Sequence, residues 1–275
     1  MVDKFYTLPH ISKHCISLVS ERYNWNTWDL ILEPSAGNGS FLFQIPSDKK
    51  IGIDIFPDHS KIEKKDFFLY FPPPDKKNIL VIGNPPFGRV SSLAIKFFNH
   101  ASQWASVIAF IVPRTFRRIS VQNKLSLDFS LEYDENIPLS PCSFEPPMMA
   151  KCCFQIWKKN ITGVKRELIK LSTTHKDWAF LPLGVKDKKG QPTPPKDASF
   201  AIRAYGGKCG EIISDNLESL RPKSWHWIKC NDKINKDELI KRFSSLDYSL
   251  SLDTARQNSI GKAELVNLYS EFYDS

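Results

Sequence analysis

The sequence lacks any uninterrupted apolar run approaching the ~20 residues of a membrane-spanning helix, which argues against a membrane protein. Its first residues, "MVDKFYTLPHISKHC", lack the apolar core of a secretory signal and imply a cytoplasmic location, or a nuclear one in a eukaryote. Six cysteines (Cys15, Cys142, Cys152, Cys153, Cys209 and Cys230) include no CxxC spacing. Such a distribution fits reduced, mostly buried thiols better than a disulfide frame or a zinc site, so no metal is expected. There is no internal repeat, and charge of neither sign is concentrated: residues 1–160 and 161–275 each carry 19 basic and 15 acidic side chains. The net charge of +8 permits a polyanionic partner without pointing to a face for one.

What is present is a chain of 275 residues, long enough for one large domain or two modest ones. From Trp28 to about Trp157, short apolar runs alternate with helical patterns, the mark of an α/β fold with a parallel sheet. The strand candidates are "WDLILEP", "KIGIDIF", "NILVIGNPP", "SVIAFIVP" and "KCCFQIWK". Between the third and fourth, Leu93, Phe97, Phe98, Ala101 and Trp104 recur at helical spacing and predict a core-facing helix capped by Ser91 or Ser92. The tract 184–197, "GVKDKKGQPTPPKD", reads as an exposed loop or linker. Beyond it come a strand pair around Gly206 and Gly207, a polar helix from about Lys236 to Leu246 and a last helix from about Lys262. We expect a catalytic domain over 1–175 and a smaller α+β region over 176–275, with a soft boundary between 160 and 197.

"LEPSAGNGSFL" (32–42) follows the first strand directly. Gly37 and Gly39 remove the Cβ atoms that would keep a ligand from the backbone, and they permit a tight turn. The loop lacks the Lys-Ser/Thr of a phosphate-binding loop and carries Glu33 instead, which favours a cationic ligand. Asp54 ends the next strand, about 15 residues on, a spacing that suits one short helix and one strand. Its carboxylate suits both hydroxyls of a ribose. Asp66 could bond an adenine amine, with Phe67 beside the ring. Three acids at successive strand ends thus outline a nucleoside pocket without phosphate chemistry, and S-adenosyl-L-methionine fits it. Each acid taken alone also reads as a solvated turn residue.

"NPPF" (84–87) ends the third strand at the edge where open α/β sheets bind ligands. The Asn84 and Pro85 carbonyl oxygens could accept both hydrogens of an arylamine such as the adenine 6-amino group. That would localise the nitrogen lone pair toward an incoming methyl group, and no strong base is needed. Pro85 and Pro86 stiffen the corner. Phe87 offers a flat face for a base, with stacking worth roughly 1–3 kcal/mol. A plain Pro-Pro turn is the bland alternative.

On these residues the sequence resembles the N6-adenine-type amino-methyltransferases, in which NPPF is the catalytic motif. "EPSAGNGSF" looks like their first cofactor motif, and Asp54 and Asp66 stand at their second and third. "FYTLPHIS" is similar to the segment that, in the γ-type order, precedes the glycine loop and closes over the methionine part of the cofactor. The resemblance covers about residues 3–160. It implies a Rossmann-like class I methyltransferase sheet, mostly parallel with one antiparallel strand. It also implies cofactor contacts from Tyr6, Thr7, Glu33, Pro34, Ser35, Ala36, Gly37, Gly39, Asp54, Ile55, Asp66, Phe67 and Asn84. Asn84, Pro85, Pro86 and Phe87 would hold the target base, and Phe154 is the candidate for its other face. The short segment after the glycine loop departs from the family and leaves Phe41 unplaced.

A base inside a duplex cannot reach such a pocket, so it must be flipped out or single-stranded. Arg89, Arg114, Arg117 and Arg118 are candidates for holding phosphates near the catalytic edge, and Arg203, Lys208, Arg256 and Lys262 for gripping the remaining substrate. DNA is the favoured partner and RNA the close rival. Modification of a protein glutamine and a non-catalytic role in a methyltransferase complex are the other readings.

Overall fold

The computed structural model describes residues 4–232 and 234–274, and the chain divides into two compact units between Leu168 and Ile169. The first unit is built on seven strands: β1 (Leu30–Glu33), β2 (Lys50–Asp54), β3 (Glu63–Lys64), β4 (Ile79–Gly83), β5 (Val107–Pro113), β6 (Phe129–Asn136) and β7 (Cys152–Lys159). Their order is β3-β2-β1-β4-β5-β7-β6, with β7 alone running against the rest. This is the expected Rossmann-like class I methyltransferase sheet. The order reverses between β1 and β4, so the carboxyl ends of those two strands flank a topological switch point, where open sheets place their ligands.

The central strands β1, β4 and β5 are apolar because both faces are covered. Along β4, Leu80 and Ile82 face one core with Ile11, Cys15 and Val19 of α1 (Pro9–Ser20). Ile79 and Val81 face the other, with Ala94, Phe97, Phe98 and Ala101 of α2 (Ser92–Ala101). Phe98 is 1% exposed and meets the edges of Phe129 and Trp157 at 5.8 and 5.4 Å.

Three local expectations are corrected. No regular helix joins β1 to β2: residues 38–44 form successive turns, which bury Phe41 and Leu42 before Pro46 cuts the segment short. Neither serine caps α2, because Ser91 has a φ of 60° and its hydroxyl meets that of Thr115 at 2.7 Å. The Phe87 carbonyl caps the helix instead, accepting from the N–H groups of Leu93 and Ala94 at 3.1 and 3.3 Å. Finally, β6 was not among the expected strands. Its "FSLEYDEN" alternates weakly and lies at the sheet edge, with a bulge at Leu131/Tyr133.

The second unit is α+β, as expected. Strands β8 (Trp178–Phe180), β9 (Phe200–Arg203), β10 (Ile212–Ile213) and β11 (Trp225–Cys230) form an antiparallel sheet in the order β8-β11-β9-β10. Phe200, Ile202 and Ile228 on one face bury Leu239 and Phe243 of one helix, Lys236–Ser244, and Leu265 and Tyr269 of another, Lys262–Tyr273. Alternate residues Ala201, Trp225 and Trp227 pack on the opposite face. Among the described residues no helix is long and apolar enough to cross a membrane, and no group of acidic, His and Cys side chains is placed to hold a metal.

Candidate active site

The carboxyl ends of β1 and β4 bring the glycine loop and the NPPF corner together. Ser35 of the loop donates its hydroxyl to the Asn84 carbonyl at 3.1 Å. Gly83, with a φ of 151°, sits where a Cβ would come within 3.2 Å of Glu33 Cγ, so only glycine lets β4 pass so close to the loop. The N-terminal segment crosses this junction. Tyr6–Thr7 pairs with Phe144–Glu145, and the Leu8 N–H donates to the Ser143 carbonyl at 3.0 Å. The Asn84 amide donates to the Phe5 carbonyl at 3.4 Å.

That contact fixes which way Asn84 faces. With its NH₂ turned to Phe5, the side-chain oxygen is left to accept from elsewhere. Among the described residues, neither Asn84 Oδ1 nor the Pro85 carbonyl has a hydrogen-bond donor. Phe87, half-buried, packs against both cores.

The loop itself is held from below. Glu33 is 2% exposed, and its carboxylate accepts from the Leu42 N–H at 2.8 Å and from that of Phe41. Burial pushes its pKa well above the ordinary 4.5, the two N–H groups oppose the shift, and the Asp54 charge adds to it. Asp54 accepts from the Gly37 N–H at 2.9 Å and from that of Phe56 at 2.8 Å. Gly37 and Gly39 have φ values of 51° and 84°, and a Cβ on Gly37 would lie 2.9 Å from Cε1 of Tyr6. Thr7 is 3% exposed, and its hydroxyl is buried without a hydrogen-bond partner.

The remaining expected cofactor residues divide by direction. Pro34 and Ala36 are buried, Ala36 beside Leu42 and Ile62, while Ile55 is 48% exposed just past Asp54. Asp66 is exposed and accepts from the Phe68 N–H at 2.9 Å. Phe67 turns into the core, stacked on Phe97 at 4.9 Å, so it does not stand beside an adenine. Phe154 is 0% exposed, in the core cluster against which Phe87 packs.

Asp58 was not singled out from the sequence. It accepts from Lys4 Nζ at 3.1 and 3.2 Å and from the Tyr6 hydroxyl, while its own N–H donates to the Gly37 carbonyl at 2.9 Å. It thus latches the N-terminal segment across the glycine loop. In "FPDHS" it looks like any turn residue, and no sequence signal marks it.

The arginines that follow the NPPF corner and β5 are unequal. Arg89 is exposed in the turn after Phe87. Arg114 Nε reaches only the Cys152 carbonyl, at 3.4 Å. Arg117 is committed to Asp134, with Nε at 2.9 and 3.0 Å from the two carboxylate oxygens. Arg118 is half-buried at the start of a short helix, Ile119–Gln122. In the second unit, Arg203 pairs with Glu211 at 3.0 Å, and Lys208 reaches the same carboxylate at 3.4 Å. Lys262 lies over the Phe180 ring at 4.9 Å, and Arg256 is exposed.

No family model and no curated protein matches the chain. Among solved structures, it is similar to the 23S rRNA methyltransferase ErmE at 15% identity, over 62% of this chain and 74% of that one, with a TM-score of 0.43. It is also similar to the magnesium protoporphyrin IX methyltransferase ChlM from Synechocystis PCC 6803, solved with bound S-adenosylmethionine. There the identity is 9%, over 55% of this chain and 79% of that one, with a TM-score of 0.42. Likenesses at this level say nothing of activity. The fold assignment rests on the strand order itself.

Proposed function

We propose that this protein transfers a methyl group from S-adenosyl-L-methionine to the N6 amino group of adenine in a nucleic acid, DNA in the first instance. One observation carries the reading: the Asn84 side-chain oxygen and the Pro85 main-chain carbonyl, on consecutive residues just past β4, have no donor among the described residues, and the Asn84 amide is oriented by the Phe5 carbonyl. Two acceptors side by side suit a group with two hydrogens to give.

The residues of the glycine loop fit the cofactor. Gly37 and Gly39 leave backbone where side chains would intrude, and Thr7 offers a buried hydroxyl in want of a partner. Glu33 is a buried carboxylate with no cation in contact, which suits a positively charged ligand. When bound, the cofactor supplies an electrophilic methyl group. Asn84 and Pro85 would hold the adenine amine and draw its lone pair out of the ring. The stiff proline corner would keep that geometry without reorganisation. Phe87 would support the base.

The test is transfer of label from tritiated cofactor to duplex DNA, single-stranded DNA and RNA. Asn84→Ala should abolish transfer with cofactor affinity little changed. Unchanged turnover would refute the assignment, and the preferred polymer reads out whether DNA or RNA is the substrate.

A further inference from the structure

In the second unit, two glycine-containing loops about 50 residues apart are joined into one surface. The first, 204–210, reads "AYGGKCG" and the second, 255–261, reads "ARQNSIG". The Ile260 N–H donates to the Ala204 carbonyl at 3.0 Å, Tyr205 bridges to Ser259, and the Gly206 N–H donates to the Asn258 carbonyl at 2.9 Å. Arg203 braces the turn from behind, its Nε donating to the Tyr205 carbonyl at 3.2 Å.

Three features of this surface point the same way. Tyr205 is 47% exposed on a backbone tied from both sides, and no other ring or polar group of the described residues engages its side chain. Each of the two loops carries an exposed cation: Lys208, whose side chain is 73% exposed, and Arg256, which has no ion pair among the described residues. Glu211 is shared between Lys208 and Arg203, so one carboxylate faces two cations. The backbone is open too. Gly206 takes a φ of 95°, a Cβ on Gly207 would meet nothing within 4 Å, and the Gly207 and Lys208 N–H groups have no acceptor among the described residues.

A rigid exposed ring, flanking cations and free backbone donors are what an unpaired nucleotide needs: a face to stack on and donors for its phosphate. A paired base could not use the ring, because its faces are already stacked in the duplex. We infer that the second unit binds single-stranded nucleic acid here, one base stacking on Tyr205 with the adjoining phosphates held by Lys208, Arg256 and the Gly207–Lys208 backbone. This rests on the proposed nucleic-acid substrate and goes beyond it by locating a second contact outside the catalytic edge.

Fluorescence anisotropy with labelled oligonucleotides of about 12 nucleotides, DNA and RNA in separate arms, tests it on the full chain. Tyr205→Ala should weaken single-strand binding by about 5- to 150-fold, and Tyr205→Phe should restore it, since the phenylalanine ring stacks equally. Arg256→Ala should reduce the salt dependence by the share of about one phosphate contact. Because these side chains are exposed, the variants should melt with the parent. Unchanged affinity in both alanine variants overturns the inference even if Asn84→Ala has abolished methyl transfer. Conversely, a parent chain that binds strands through Tyr205 but methylates none upholds this surface and overturns the proposed reaction.

Discussion

Gly37→Ala should cost the first unit about 2–3 kcal/mol, and the structure divides that cost into two parts. Gly37 has a φ of 51°, where a Cβ costs about 1–2 kcal/mol in the backbone alone. The new methyl would also lie 2.9 Å from Cε1 and 3.1 Å from Cδ1 of Tyr6, so the ring must swing away. Doing so breaks its bond to Asp58, which at 41% side-chain exposure is worth about 1 kcal/mol. For a unit of this size the sum lowers the melting temperature by roughly 5–10 °C. Gly207→Ala is the control: its φ is ordinary and nothing lies within 4 Å, so it should stay within about 0.5 kcal/mol of the parent. The decisive assay is a double-mutant cycle by thermal unfolding. With Tyr6→Ala already in place, Gly37→Ala should lose the ring-displacement share and retain only the backbone share, a coupling of about 1 kcal/mol. Equal cost in both backgrounds would show that Tyr6 does not pack on the loop, and the latched strap would have to be abandoned.

Two further predictions concern buried charge. Burial raises the Glu33 pKa, so its contribution to stability is complete below the unfolded value near 4.5 and is lost as pH rises toward the raised folded value. Glu33→Gln should therefore gain on the parent in melting temperature as the pH rises above about 4.5, and a constant difference between the two would refute this; cofactor binding should release a proton, read by calorimetry in buffers of different ionisation enthalpy. Arg117→Ala should destabilise by about 2–3 kcal/mol, because Asp134, with 19% side-chain exposure, would keep only its Gln155 partner at 2.6 Å; if it instead weakens nucleic-acid binding at unchanged stability, Arg117 belongs to the substrate surface after all.

Much of the fold was legible because the central parallel strands β1, β4 and β5 are buried on both faces and so read as continuous apolar runs. "NILVIG" and "SVIAFIV" need no partner to be recognised. What escaped was decided by neighbours. β6 carries Glu132, Asp134 and Glu135, and forms a strand because β7 offers its whole length as a template. The segment 38–44 opens with Asn38, Gly39 and Ser40, all poor helix formers, and Pro46 with the buried positions of Phe41 and Leu42 leaves it no room to complete a helix. The Ser91 cap failed for a similar reason. A strained turn at Val90 and Ser91, with φ values of 52° and 60°, brings the Phe87 carbonyl over the helix end first.

The candidate site divides along a different line. Residue types were legible; the directions of their side chains were not. Glu33 was expected to face a ligand; its carboxylate is buried and accepts from two N–H groups of its own loop. Asp54 likewise holds the Gly37 and Phe56 N–H groups, one with each oxygen, and each oxygen keeps a second lone pair for a further donor. Phe67 and Phe154, placed by motif position, were claimed by the core because a large ring gains more by burial than by standing at a solvated edge. Asn84 is the counter-example. Its direction depends on a main-chain carbonyl, Phe5, which has no side-chain signature at all, and that carbonyl is in place only while the N-terminal strap is down. The direction of the asparagine's side-chain oxygen is therefore coupled to the strap, and the same latch at Asp58 that covers the glycine loop also holds the segment that sets that oxygen.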